Sequence, residues 1–116
     1  MTATRHPKPP PETEKAFSSW FLDLAQTLGW RCYHSRGAVA LRRDGTVRYL
    51  TPLSGDAGYP DWTLARRNRL LFVELKTDRG RTTPEQDAWL AALHLAGAEV
   101  WVWRPRDRSL IEEALA

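Results

Sequence analysis

One cysteine, Cys32, is all that 116 residues contain, so neither a disulfide framework nor a cysteine-ligated zinc site is open to this chain. The three histidines, His6, His34 and His94, do not have zinc-binding spacing. No apolar run approaches the roughly 20 residues that cross a bilayer, and the N-terminus has no apolar signal core. These absences predict a cytoplasmic protein without membrane contact. Lysine is scarce too: of 17 basic residues only Lys8, Lys15 and Lys76 are lysines, and the rest are arginines. Arginine suits bidentate phosphate contact, although a composition bias would produce the same ratio. No internal repeat is visible.

What is present is an ordinary globular composition, 42% hydrophobic and 27% charged, with a modestly basic net charge of +3. Four prolines crowd residues 1–11 without periodicity, so that stretch reads as a disordered lead-in, and 12–116 as one domain able to bury its own core.

The most informative stretch is Gly58-Tyr59-Pro60-Asp61, followed thirteen residues after Asp61 by Glu74-Leu75-Lys76. Two short strand-like segments flank Arg67-Asn68, a hairpin signal. With a two-residue loop Arg66 faces Arg69, and the same register sets Asp61 opposite Glu74. A three-residue loop would shift that register by one. Directly opposed side chains stand roughly 4.5–5.5 Å apart at Cβ, and like charges so placed repel. Two carboxylates side by side therefore call for a proton or a cation. Alternation puts Glu74 and Lys76 on one face and Leu71, Val73 and Leu75 on the other. A hard divalent ion held by carboxylates and water, with a lysine beside it, fits this pattern. It reads as a metal-dependent phosphodiesterase site.

At these residues the chain resembles the PD-(D/E)xK nucleases. The fuller pattern of Gly58-Tyr59-Pro60-Asp61, Glu74-Leu75-Lys76 and downstream Gln86 is similar to the virus-type replication-repair nuclease (VRR-NUC) family. The resemblance extends over roughly residues 12 to 115 and implies a restriction-endonuclease-like core. It implies Mg²⁺ or Mn²⁺ held by Asp61, Glu74 and the Leu75 backbone carbonyl, with Glu14 supporting the same ion or a second one. Lys76 and Gln86 would complete a catalytic set of Asp61, Glu74, Lys76, Gln86 and Glu14. The implied substrate is structured DNA (junctions, flaps or nicked duplexes) in phage or bacterial replication, recombination or repair, with a homodimer as a common acting form.

Around that centre the chain reads in order. A helix starts at Thr13 and carries Phe17, Trp20, Phe21, Leu24, Ala25 and Leu28 on one stripe, ended by Gly29. Glu14 extends the stripe and is expected to look inward, although an acid in the first turn also suits the helix dipole. Trp30 to His34 reads as a strand. Segments 38–43 and 46–50 flank Asp44-Gly45, a two-residue hairpin signal. Arg42, Arg43 and Arg48 on that hairpin, Arg36 just before it, and Arg79 and Arg81 in the polar loop after Lys76 are candidate DNA contacts against a default of solvated charge. His34 is either near substrate or a satisfied strand-end histidine. Asp56 is an outer acid or a turn cap.

Thr83-Pro84-Glu85-Gln86 opens a second helix with proline at its first position and a Thr-x-x-Gln capping box. Gln86 therefore has two competing roles, helix cap or site residue, which one side chain is not expected to fill together. Glu99 to Trp103 alternates as a strand, and 106–116 closes as a short helix. The order α-β-β-β-β-β-α-β-α predicts an α/β fold with a mixed central sheet flanked by helices. Two rival functions stand beside the nuclease: a DNA-binding module with a decayed site, and a protein-interaction domain.

Overall fold

The computed structural model describes residues 12–35, 39–41, 43–45, 47–49 and 54–116. The proline-rich stretch 1–11, Arg36 and Arg42 lie outside them. The elements run α1 (Glu14–Thr27), β1 (Arg31–His34), β2 (Val39–Leu41), β3 (Val47–Tyr49), β4 (Trp62–Arg66), β5 (Arg69–Leu75), α2 (Pro84–Leu95), β6 (Glu99–Trp103) and α3 (Arg108–Leu115), with a 3₁₀ turn at Pro105–Asp107. The architecture is α/β, with a mixed four-stranded sheet in the order β1-β4-β5-β6. Strands β1, β4 and β5 are antiparallel neighbours, and β6 joins β5 in parallel after the α2 crossover.

The β2–β3 hairpin forms a separate two-stranded sheet instead of extending the central one. Its register also departs from expectation. Val39 faces Tyr49 and Leu41 faces Val47, which centres the connection on Asp44 and not between Asp44 and Gly45. Gly45 takes φ +87°, the left-handed conformation that glycine supplies in such a turn.

Alternation on β5 sends Leu71, Val73 and Leu75 into the core. They meet Trp62 and Leu64 of β4, Trp103 of β6, Phe17, Phe21 and Ala25 of α1, and Ile111 and Leu115 of α3. Each such side chain removed from water is worth about 1.5–3 kcal/mol before chain entropy is counted. Helix α2 is different, since none of its residues is buried. It lies on the opposite face, where Tyr59 packs edge-on between Trp89 of α2 and Phe72 of β5.

The end of the sheet away from Asp61 is closed by two arginines. Arg66 donates to the carbonyls of Leu28, Leu115 and Ala116, and Arg69 to that of Ala114 and to the Glu99 carboxylate. Both guanidinium groups lie over the Trp30 ring, whose Nε1 donates to Leu115 O at 2.9 Å. This arrangement caps the last turn of α3, whose carbonyls have no intrahelical partners. No helix among the described residues is long and apolar enough to cross a membrane.

Candidate active site

The β4–β5 hairpin turns through Arg67-Asn68, with Arg66 opposite Arg69 and Trp62 opposite Val73. Arg67 takes φ +55°, as primed hairpin turns require. One step beyond the ladder Asp61 and Glu74 come together. The Asp61 N–H donates to Glu74 Oε2 at 3.1 Å, and the Leu75 N–H donates to Asp61 Oδ2 at 3.3 Å. Each carboxylate thus binds the backbone of the other strand, which locks the pair in register.

Glu74 is only 1% exposed, yet it is ringed by donors. Lys76 Nζ stands 3.5 Å from Oε1, and Gln86 Nε2 donates to Oε1 at 2.8 Å. Burial, and then the neighbouring Asp61 charge, push the Glu74 carboxyl up to about 7, and these effects outweigh the opposing pull of Lys76. A carboxylate held this way is a poor anion in the bare protein and a ready ligand for a cation.

Gln86 closes the helix cap and also reaches Glu74, two contacts that the sequence set against each other. Its Oε1 accepts the Thr83 N–H at 2.9 Å while the Gln86 N–H donates to Thr83 Oγ1 at 3.2 Å, a closed capping box. Its Nε2 is left to reach Glu74. The expectation of exclusivity was wrong because an amide has two ends, and only this orientation puts oxygen on an N–H and nitrogen on a carboxylate.

Gly58 sets the approach. Its φ is +96°, and a Cβ there would lie 2.4 Å from the Glu85 carbonyl carbon and 2.7 Å from the Gln86 nitrogen. The chain before Asp61 therefore runs against the first turn of α2, which places Gln86 over Glu74. Sequence reading identified the glycine as part of a motif but missed this contact. Its only local signal is the positive φ that a turn glycine supplies.

The remaining candidates are placed as follows. Glu14 is exposed, not inward: it is the first residue of α1, one turn before Phe17, where the helix has not yet reached the core. It lines a cleft of about 620 Å³ with Ser18, His34 and Trp62, a lining that includes neither Asp61 nor Glu74. His34 stacks flat on Trp62, with ring centroids 4.1 Å apart. Among the described residues no three His, Cys, Asp or Glu side chains cluster closely enough to hold an ion between them. Asp56 is exposed, and its backbone carbonyl accepts the Trp89 Nε1–H at 3.1 Å. Arg43, Arg79 and Arg81 are exposed.

The loop after Lys76 is held by residues that the sequence did not single out. Arg104 Nη2 donates to Gly80 O at 2.7 Å, and the Arg106 N–H donates to Asp78 Oδ1 at 3.2 Å. Side-chain contacts across such sequence distances have no local signature. Comparison with known proteins matched no family model, no curated protein and no solved structure.

Proposed function

We propose that this chain is a Mg²⁺- or Mn²⁺-dependent endodeoxyribonuclease with a restriction-endonuclease-like core of the VRR-NUC type. The observation that carries the reading is the carboxylate pair. Asp61 and Glu74 are locked side by side, Glu74 is buried, and Lys76 and Gln86 are aimed at the same Glu74 oxygen. A purely structural role would leave two repelling acids where an apolar pair would be more stable.

The donor set fits a hard divalent cation. Asp61, Glu74 and the Leu75 carbonyl offer oxygen only, and Mg²⁺ commonly uses one or two carboxylates and keeps its remaining waters. Glu14, on the wall of the cleft with His34 and Trp62, is assigned no ligand role. Such an ion, when bound, neutralises charge at a phosphate and acidifies water. Lys76 supplies a fixed positive charge beside Glu74 for the negative charge that builds on the phosphate oxygens as water adds to phosphorus and one P–O ester bond breaks. Gln86 holds Glu74 in place through Nε2 and is itself held by its capping bonds. The proposed substrates are junction, flap or nicked DNA, and the proposed acting form is a homodimer. Both rest on the resemblance at Gly58–Asp61, Glu74–Lys76 and Gln86.

Three conservative variants test the assignment separately: Asp61→Asn, Glu74→Gln and Lys76→Ala, each assayed for cutting, for DNA binding and for melting temperature with Mn²⁺. Wild type is expected to melt higher with Mn²⁺, by about 2.7 kcal/mol of stability at one hundred times the dissociation constant. The two carboxylate variants should lose that shift, while Lys76→Ala should keep it and lose cutting. A wild type that binds DNA, is unaffected by Mn²⁺ and cuts nothing would favour the binding module instead.

A further inference from the structure

Two segments far apart in sequence meet beside Lys76. The loop 77–81 follows β5, and the junction 104–107 follows β6. Three contacts join them into one ridge: Lys76 N–H to Trp103 O at 3.0 Å, Arg104 Nη2 to Gly80 O at 2.7 Å, and Arg106 N–H to Asp78 Oδ1 at 3.2 Å. Both acids of the ridge are engaged with the backbone, Asp78 as just described and Asp107 through the Arg104 N–H at 2.8 Å. The side chains of Arg79, Arg81 and Arg106 are exposed.

The charge balance is lopsided. With Lys76 paired to Glu74, the ridge itself sets Arg79, Arg81, Arg104 and Arg106 against Asp78 and Asp107, four positive charges to two negative and a local excess of +2. Elsewhere Arg108 is ion-paired with Glu12 and Arg69 with Glu99. Solvated surface arginines are ordinarily interspersed with acids, whereas both acids of this ridge are turned to backbone N–H groups and three guanidinium groups stand exposed beside them, a surface suited to an anionic partner. The guanidinium fork matches phosphate oxygens, and the ridge starts at the lysine beside the carboxylate pair.

We infer that this ridge is a docking track for the sugar-phosphate backbone of DNA, with Arg79, Arg81 and Arg106 as phosphate contacts and Arg104 as the positioning residue that fixes the loop. Naming DNA as the polyanion rests on the nuclease reading above, whereas the ridge itself does not depend on cutting. Because the contacts are to phosphate, the track adds affinity without base preference. Its preformed geometry means little loop ordering accompanies binding.

The test is fluorescence anisotropy of labelled duplex DNA in EDTA, over a series of potassium chloride concentrations, where no cleavage intervenes. Each phosphate contact contributes about 0.9 to the slope of log affinity against log salt. The triple variant Arg79→Ala, Arg81→Ala, Arg106→Ala is therefore expected to flatten the slope by about 2–3 and to bind roughly tenfold or more weakly at 0.1 M salt. Its melting temperature should stay at the wild-type value, since all three side chains are exposed. The control Arg31→Ala with Arg67→Asn removes two exposed arginines at the far end of the sheet and should keep the slope. Equal slopes for the triple variant and wild type overturn the track even if wild type cuts DNA. Equal flattening by the control overturns it as well, as does a wild type that does not bind duplex at low salt. Tighter binding of polyglutamate than of duplex would make the ridge an acidic-protein surface and overturn the assignment. A flattened slope in the triple variant supports the track whether or not wild type cuts.

Discussion

Glu74 concentrates the physics of this protein in one side chain. Its raised carboxyl has a direct thermodynamic consequence. The unfolded chain releases this proton near the ordinary value of 4.5 and the folded chain only near 7, so between those values the folded state holds more protons. Stability of the metal-free protein should therefore fall as pH rises through that window and level off above it. The loss is at most about 3.5 kcal/mol, since one pKa unit corresponds to about 1.4 kcal/mol. Glu74→Gln should flatten the profile, which melting curves from pH 4.5 to 8 would reveal. Gln86 offers a cleaner separation of roles. Thr83→Ala and Gln86→Ala both break the capping box and should each cost about 1 kcal/mol. Only Gln86→Ala also removes the bond to Glu74, so it alone should depress cutting beyond what its stability loss explains.

At the level of elements, the site depends on how closely the Gly58 backbone approaches α2. Gly58→Ala would place a methyl group 2.4 Å from a carbonyl carbon at a φ that alanine resists. A loss of about 3 kcal/mol or more is expected, seen as a drop in the denaturation midpoint and as impaired cutting. At the opposite end, Arg66→Ala removes donors to three carbonyls and a cation over Trp30. It should cost about 2–3 kcal/mol while leaving Mn²⁺ binding intact. These elements differ in how far the sequence exposed them. Thr83 and Pro84 marked the start of α2, and Asn68 marked the central turn, because caps and turns are local chemistry. The register error at Asp44-Gly45 arose because an Asp-Gly pair suits hairpin loops of more than one length, and the local residues do not say where pairing resumes. Glu14 was misread because periodicity gives a face and not how far along that face the core extends. The Arg66 and Arg69 clamp was invisible, since it joins side chains to carbonyls 38 to 50 residues away.

On the scale of the whole molecule, the two faces of the sheet do different work. One carries the apolar core under α1 and α3, and the other carries Glu74 beneath a lightly packed α2. The arginine clamp and the carboxylate pair stand at opposite ends of the same hairpin, so the arm that presents the site is anchored at its far end. The basic ridge continues from Lys76 at the site's edge, which gives a phosphate backbone a path to the carboxylates. Legible in advance were the α/β order, from helical stripes and caps, the Asp61–Glu74 register, from the Arg67-Asn68 turn, and the Lys76 face, from strand alternation. The four-strand limit of the sheet and the ridge were not, because both depend on contacts between distant segments.

One measurement bears on all of this most directly: cleavage of labelled plasmid, four-way junction and flap DNA with Mg²⁺, Mn²⁺ or EDTA, with wild type beside Lys76→Ala. The account predicts cutting that needs the divalent ion, stops in EDTA and is lost in Lys76→Ala while that variant stays folded and still binds DNA. Cutting that persists in EDTA or in Lys76→Ala, or no cutting of any substrate by a folded wild type that binds DNA, would contradict it.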